Sequence, residues 1–284
     1  METNGAVTLE EAGDSPTSPG MFVASKQLRD RRGCRSENLR DWPILPREEF
    51  TGPLGAHAYI QQCIRIDPAN VEHICECDNS MWDEGLWQLE HLRQVALELS
   101  GLVVLLLDVC TKEKCPQMKA SDEWVFLCAA HRLPQECCAI DYIAHTLEGT
   151  TAVLNSNRWL PARGTPPPPE SEKVFKSIAR RLHRIFAHVF FHHMHIFQLF
   201  EDQHHLCQRF LHLIKRYHWI KPHQLIIPSN FFAMRAAPGA GYYHAGEEAG
   251  DSMMGARFVA FDPDKPREDE DEELDLDELI KEMS

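Results

Sequence analysis

The sequence lacks a long apolar run and a recognisable export signal. Its longest apolar run, Leu102–Leu107, is far shorter than the ~20 residues that cross a bilayer. Residues 1–13 are polar and acidic, whereas a secretory signal is basic and then apolar. We therefore expect a cytoplasmic protein without a transmembrane segment. Peripheral attachment to endomembranes is the alternative.

A surplus of basic residues is also absent. The chain has 29 Lys and Arg against 43 Asp and Glu, a net charge of −14. Residues 262–284 alone hold twelve acidic and three basic residues. A nucleic-acid binder typically carries the opposite balance, so the composition argues against nucleic acid as a partner.

Patterning divides the chain into three parts. Residues 1–55 show little apolar periodicity, which predicts a largely disordered N-terminal extension. Residues 56–230 carry the helical periodicity of one folded domain, and residues 231–284 read as a disordered acidic tail. The predicted class is all-α, with a short strand at residues 123–128. The predicted helices span residues 57–65, 83–109, 139–155, 174–200 and 203–218.

Cysteine and histidine clusters indicate a metal site. In a chain without an export signal, the ten Cys are expected to be reduced thiols or metal ligands. Cys110 and Cys115 form a C-x4-C loop after a helix. Two thiolates and two imidazoles make a tetrahedral zinc site, and four protein ligands make it structural rather than catalytic. One predicted helix carries four imidazoles: His188, His192, His193 and His195.

Helix geometry leaves the choice of imidazoles open. His188 and His192 are four residues apart and share a helix face. His193 lies about 140° around an ideal helix from His188, so spacing alone favours His192. The competing interpretation is reduced core thiols plus surface histidines. Four other thiols are further candidate ligands, but we interpret them as core or surface residues: Cys75, Cys77, Cys137 and Cys138.

Two surfaces are candidates for binding partners. Arg180, Arg181 and Arg184 are spaced three and four residues apart on one predicted helix. Such guanidinium groups suit a phosphorylated Ser or Thr, and the alternative is a solvated face with acidic neighbours. A second candidate lies off the apolar stripe of the helix at 83–109 and combines Glu84, Trp87, Glu90 and His91. An exposed Trp beside acids can anchor a partner, unless Trp87 belongs to the core.

Four stretches carry a family resemblance: Glu84–Gln94, the C-x4-C loop, Trp124–His131 and Arg180–His193. Together they resemble the Mob (Mps one binder) family. Gln61-Gln62, Asp141-Tyr142 and His145–Leu147 fit its phocein branch, which associates with striatin. The resemblance covers residues 56–230.

This resemblance implies a Mob-type helical bundle with a small β-hairpin element and one structural zinc ion, Zn²⁺. The family's ligand pattern, C-x4-C followed by H-x4-H, falls on Cys110, Cys115, His188 and His193. It also implies a non-catalytic signalling adaptor and kinase activator whose arginines bind phosphopeptides. The partners expected are a germinal-centre-type kinase or a striatin-like scaffold, and indirectly the phosphatase of a STRIPAK-like complex.

The rival interpretation from another class is a zinc-dependent hydrolase. That activity would need three protein ligands, an open position on the metal and a nearby general base. The sequence has no H-E-x-x-H motif and no carboxylate between His188 and His193. We therefore predict that the chain is not an enzyme.

Overall fold

The computed structural model describes residues 42–121, 124–157, 160–228 and 231–232. Most of the predicted N-terminal extension and the acidic tail from residue 233 onward lie outside these ranges. The chain divides into two compact units, residues 1–49 and 50–284. In the first, Arg47–Glu49 forms one 3-10 turn. Every helix that follows belongs to the second.

Seven α-helices occur in the described ranges, and none of them is long and apolar enough to cross a membrane. They are α1 (Gly55–Ile66), α2 (Val71–Cys75), α3 (Glu84–Leu106), α4 (Ala139–Asn155), α5 (Ser171–His192), α6 (Met194–His204) and α7 (Leu206–Tyr217). A 3-10 turn, Pro222–Gln224, follows α7. The mostly helical class is confirmed.

The predicted β-hairpin is wrong for the part of the chain that the structure describes. Residues between α3 and α4 form two isolated antiparallel bridges, Lys119 with Val125 and Cys128 with Gln135. A hairpin needs consecutive paired residues, and here each bridge stands alone. The apolar residues of the predicted strand do not all turn inward, since Val125 and Leu127 are exposed.

Helix α3 is the central element. The side chain of Asp83 caps its first turn by accepting a hydrogen bond from the N–H of Leu86 at 3.0 Å, which satisfies one of the free amide groups there. The helix then packs against α1, α4, α5, α6 and α7. Because neighbours surround it, α3 buries residues on all sides rather than along one stripe.

This central position overturns the second predicted partner surface. Trp87, Glu90 and His91 are completely buried, and only Glu84 is exposed. Trp87 stacks on Trp82 with ring centroids 5.3 Å apart. Three of the four predicted contact residues are therefore core residues, and a partner cannot reach them in this fold.

The single helix predicted at residues 174–200 is two helices. Helix α5 ends at His192, α6 begins at Met194, and His193 between them has φ −137° and ψ 44°, outside the helical region. The amide of His193 still donates to the carbonyl of Val189 at 2.9 Å, and its own carbonyl accepts from Phe197 at 2.9 Å. Helices α5 and α6 therefore meet at His193, where the backbone leaves the helical conformation but keeps both of these hydrogen bonds.

The folded part continues past the predicted boundary at residue 230. Phe231 is buried, and its ring lies 4.9 Å from that of Phe190 in an edge-to-face arrangement. It also contacts Phe197 of α6, with ring centroids 5.9 Å apart. Such aromatic pairs add to the stabilisation that burial gives.

Glu90 is the centre of a buried ionic cluster. Its carboxylate pairs with Arg93 on the same helix, with Arg163 at 3.3 Å and with the ring of His57 at 3.1 Å. Burial raises the pKa of Glu90, but the hydrogen bond with His57 and the charge of Arg93 outweigh it, so the pKa lies below its ordinary value. Glu90 is therefore ionised and holds Arg93 in the core.

We expect Glu90→Gln to destabilise the domain by about 3 kcal/mol, because it leaves the buried Arg93 without its countercharge. The exposed Glu84→Gln should cost less than ~1 kcal/mol. Urea unfolding at pH 7 compares the two. Because the pKa of Glu90 is lowered, the difference between wild type and Glu90→Gln should shrink as the pH falls below 4.5. Equal stability of the two variants at pH 7 would contradict the role of the cluster.

Candidate metal centre and arginine cluster

Two tight turns shape the loop that follows α3. The amide of Cys110 donates to the carbonyl of Leu106 at 2.8 Å, and the amide of Cys115 donates to the carbonyl of Thr111 at 2.8 Å. Both thiols are buried. The loop thus presents two sulfur atoms on its inner side, towards the end of α5.

The four predicted metal ligands lie together. The Sγ atom of Cys110 is 3.4 Å from Nε2 of His188, and Sγ of Cys115 is 3.5 Å from Nε2 of His193. All four atoms lie within 4.8 Å of one another. Zinc bonds of 2.3 Å to sulfur and 2.0–2.1 Å to nitrogen place neighbouring S and N atoms about 3.5 Å apart in a tetrahedron. The group has the donor set and spacing to hold such an ion.

The break at His193 bears on the choice between His192 and His193 that helix spacing left open. In a continuous helix, His193 would point away from His188, but its non-helical backbone brings its ring to Cys115. His192 remains on the helix and is exposed, although its ring lies 4.8 Å from that of His188. The metal group therefore contains His193 rather than His192.

The surroundings prepare the imidazoles as ligands. The carbonyl oxygen of Lys119 lies 2.7 Å from Nδ1 of His188. A hydrogen bond from Nδ1–H to that oxygen leaves the lone pair of Nε2 free to bind a metal. This arrangement is common for histidines that bind metals. Burial lowers the pKa of His188 to about 4, which keeps the ring neutral.

The pKa of the Cys110 thiol is shifted in the opposite direction. Burial, and then the neighbouring Cys115, raise the pKa of Cys110 to about 12. Without a cation this thiol keeps its proton, and a bound metal must displace it. Four protein ligands would complete a tetrahedral shell and leave no open position for a substrate, which argues against the hydrolase interpretation.

The three arginines lie on α5, one to two turns before His188. All three are half-buried. Arg184 donates to the hydroxyl oxygen of Tyr142 at 3.3 Å, and its guanidinium lies 5.0 Å from the centre of the Phe126 ring. Arg181 lines a small cleft together with Tyr142 and His145. The arginine cluster thus borders the contact between α4 and α5.

The remaining thiols divide into two kinds. Cys75 and Cys77 are buried and lie 3.9 Å and 3.8 Å from the carbonyl oxygens of Arg209 and Trp82, as structural thiols do. Cys137 belongs to a second group that could hold a metal ion. That group contains Cys128, His131, Cys137 and His145. Sequence reasoning named Cys137 as a candidate ligand but did not connect it with the other three residues, although the C-x2-H spacing of Cys128 and His131 was visible.

Comparison with known proteins finds a family model and full-length relatives. Residues 62–228 match the model of the Mob1/phocein family. The chain is 45% identical over 211 residues to the MOB kinase activator-like 4 of Drosophila melanogaster, which covers 74% of this chain and 93% of the relative. The MOB-like protein phocein of Caenorhabditis elegans is 43% identical over 211 residues, covering 73% and 94%. The maintenance of ploidy protein mob1 of Schizosaccharomyces pombe is 29% identical over 136 residues, covering 46% and 65%.

We expect His193→Ala and Cys110→Ser each to remove one metal ion per chain, whereas His192→Ala should retain it. Structural zinc contributes about 10–16 kcal/mol in small domains, comparable to the ~5–15 kcal/mol that stabilises a whole domain. The two ligand variants should therefore also unfold or aggregate. Elemental analysis and thermal melts measure both effects. Loss of metal in His192→Ala but not in His193→Ala would show that the ligand set is wrong.

Proposed function

Because the chain belongs to the Mob1/phocein family, we propose that it is a non-catalytic signalling adaptor that binds phosphorylated segments of a protein kinase or scaffold. The observation that carries the proposal is the arginine cluster on α5, the helix that supplies His188 of the metal group and is followed directly by His193. The name of the Drosophila relative, a kinase activator, points in the same direction.

The chemistry of the cluster suits a phosphate. A guanidinium donates two parallel hydrogen bonds to phosphate oxygens, and its charge does not titrate in the physiological range. Arg181 sits at a cleft whose other walls come from α4 and from residues 128–130 of the loop before it, so a phosphoryl group at its mouth would lie between α5, α4 and that loop. Arg184, held by Tyr142 and Phe126, would add charge from a fixed position.

Zinc is the ion that we propose for Cys110, Cys115, His188 and His193. Two thiolates with two imidazoles are a typical structural zinc set. The bound ion would tie the loop after α3 to the end of α5. Its role in function is to fix the helix that carries the arginines, so that the cluster is preorganised before a partner arrives.

The partners that we propose follow from the resemblance to the phocein branch. They are a germinal-centre-type kinase and a striatin-like scaffold within a STRIPAK-like kinase and phosphatase complex, where the phosphatase would be contacted indirectly. The −14 net charge is unfavourable for a phosphorylated ligand at long range. Recognition would therefore depend on the local arginine cluster rather than on the field of the whole chain.

We expect Arg181→Ala to weaken the binding of phosphothreonine peptides by about 1.5–3 kcal/mol, the loss of a hydrogen bond to a charged group. This equals roughly a 10- to 100-fold rise in Kd. Fluorescence anisotropy on peptides selected from a phosphopeptide library measures it. Lys173→Ala, an exposed cation on the same helix, should leave Kd unchanged, and both variants should keep the wild-type melting temperature. Unchanged affinity in Arg181→Ala would remove the phosphate-binding role.

A pull-down tests the partner class. Wild type and an Arg180/Arg181/Arg184 triple-alanine variant are compared in cell lysate, each with and without phosphatase treatment. We expect a kinase or a striatin-like scaffold among the captured proteins, and part of that set should be lost both on mutation and on dephosphorylation. Identical partners in all four arms would show that binding uses another surface. Circular dichroism of the variant separates lost binding from lost folding, because Arg184 also packs on Phe126.

A further inference from the structure

A second set of thiols and imidazoles lies outside the first metal group. It joins Cys128 and His131 from the loop before α4, Cys137 just before α4, and His145 from the second turn of that helix. One donor atom from each of these side chains lies within 4.8 Å of the other three. We propose that Cys128, His131, Cys137 and His145 form a second tetrahedral zinc site.

Distances within the set match a zinc shell. The Sγ atom of Cys128 is 3.5 Å from Nδ1 of His145, and Sγ of Cys137 is 4.0 Å from the same nitrogen. Nε2 of His131 is 2.9 Å from Sγ of Cys137. A tetrahedral zinc ion places its S and N ligand atoms about 3.5 Å apart. One of the three distances equals this value, one is longer and one is shorter. The 2.9 Å contact between His131 and Cys137 would have to lengthen when an ion binds.

The backbone holds the two thiols at a fixed separation. Cys128 and Gln135 exchange both hydrogen bonds of an isolated antiparallel bridge, at 2.7 Å and 3.1 Å. The bridge closes the loop that carries His131, and it places Cys137 beside Cys128. His145 reaches the same point from α4, with its ring 5.0 Å from that of His131 and nearly perpendicular to it.

Among the described residues, the loop has few other contacts, such as an exposed hydrogen bond from Gln117 to Glu136 at 2.7 Å. Residues 132–136 are exposed, and Leu133 in their middle is 76% exposed. Ordering each residue costs about 1–2 kcal/mol of backbone entropy, and one bridge with few buried apolar groups does not offset that for a whole loop. An ion bound by the loop and by α4 would supply the missing free energy, as structural zinc does in small domains.

Close approach of a thiol and an imidazole is not sufficient for a site, and the chain contains a comparison. Sγ of Cys63 lies 4.0 Å from Nε2 of His73, and neither residue belongs to a group of three or more potential ligands among the described residues. Cys128, His131, Cys137 and His145 instead converge from three chain segments on one point. This convergence is what distinguishes a metal shell from a hydrogen-bonded pair.

The test counts metal in the full chain, expressed with added Zn²⁺ and purified without a metal-affinity step. Native mass spectrometry and elemental analysis should find two zinc ions in the wild type, one in Cys137→Ser and two in the matched control Cys63→Ser. One ion in the wild type, or two ions in Cys137→Ser, would overturn the proposal.

A second measurement covers the case in which Cys137→Ser does not fold. In the wild type, the half-buried Cys137 should resist alkylation by iodoacetamide until a chelator is added, and His131→Ala should abolish that protection. Rapid alkylation of Cys137 in the untreated wild type contradicts the site. So does a disulfide between Cys128 and Cys137, recognised by alkylation that requires a reductant rather than a chelator.

Discussion

The contact between the loop after α3 and the end of α5 is the constraint on which the candidate site depends. Cys110 leaves α3 through a hydrogen bond to Leu106, and the carbonyl of Lys119, farther along the same loop, faces the ring of His188. The loop is therefore fixed to α3 at one end and to α5 at the other. A metal ion between its thiols and the imidazoles of α5 would lock this contact. The arginine cluster lies earlier on α5, so the contact between the loop and α5 also helps to fix the position of the arginines.

Local patterns predicted the helices well and their interruptions poorly. The predicted helix at residues 139–155 has the bounds of α4, and α1 differs from its prediction by a few residues. The sequence could not indicate the break at His193, because the segment 188–195 contains neither of the usual helix-breaking residues, Gly and Pro. The backbone departs from the helix where His193 turns towards Cys115, which lies 78 residues away in sequence. The family resemblance predicted an H-x4-H spacing, and the group that could hold a metal ion has this spacing because the helix is broken at His193.

The error at the predicted partner surface has a related cause. Polar residues on an amphipathic helix normally face water, so Glu90 and His91 suggested an exposed face. Helix α3 is enclosed instead, and its charges are paired with residues from other parts of the chain: Glu90 with Arg163, and Glu98 with the buried Arg209. These partners lie 73 and 111 residues away in sequence. Local sequence patterns therefore cannot indicate that the residues pair. Burial of charge in this helix is possible only because each ion meets its counterion, since an unpaired charge in the core would cost several kcal/mol.

The chain between the end of α3 at Leu106 and the start of α4 at Ala139 brings these points together. Its described residues, 107–121 and 124–138, form no regular helix or strand. A connection of this kind is unusual in a compact domain, where loops beyond ~12–15 residues commonly have a function of their own. Its described residues are held by two isolated bridges and by a hydrogen bond from the amide of Ala139 to the carbonyl of Cys115 at 3.0 Å. The two Cys and His groups stand at the points where this chain meets α5 and α4. On our proposals, metal ions would therefore add to the stabilisation that a few buried residues of this connection, such as Met118 and Ala120, already give. The second group shares Cys128 and His145 with the wall of the cleft that Arg181 lines, so the ion that stabilises the loop would also shape the place where a phosphate is expected to bind.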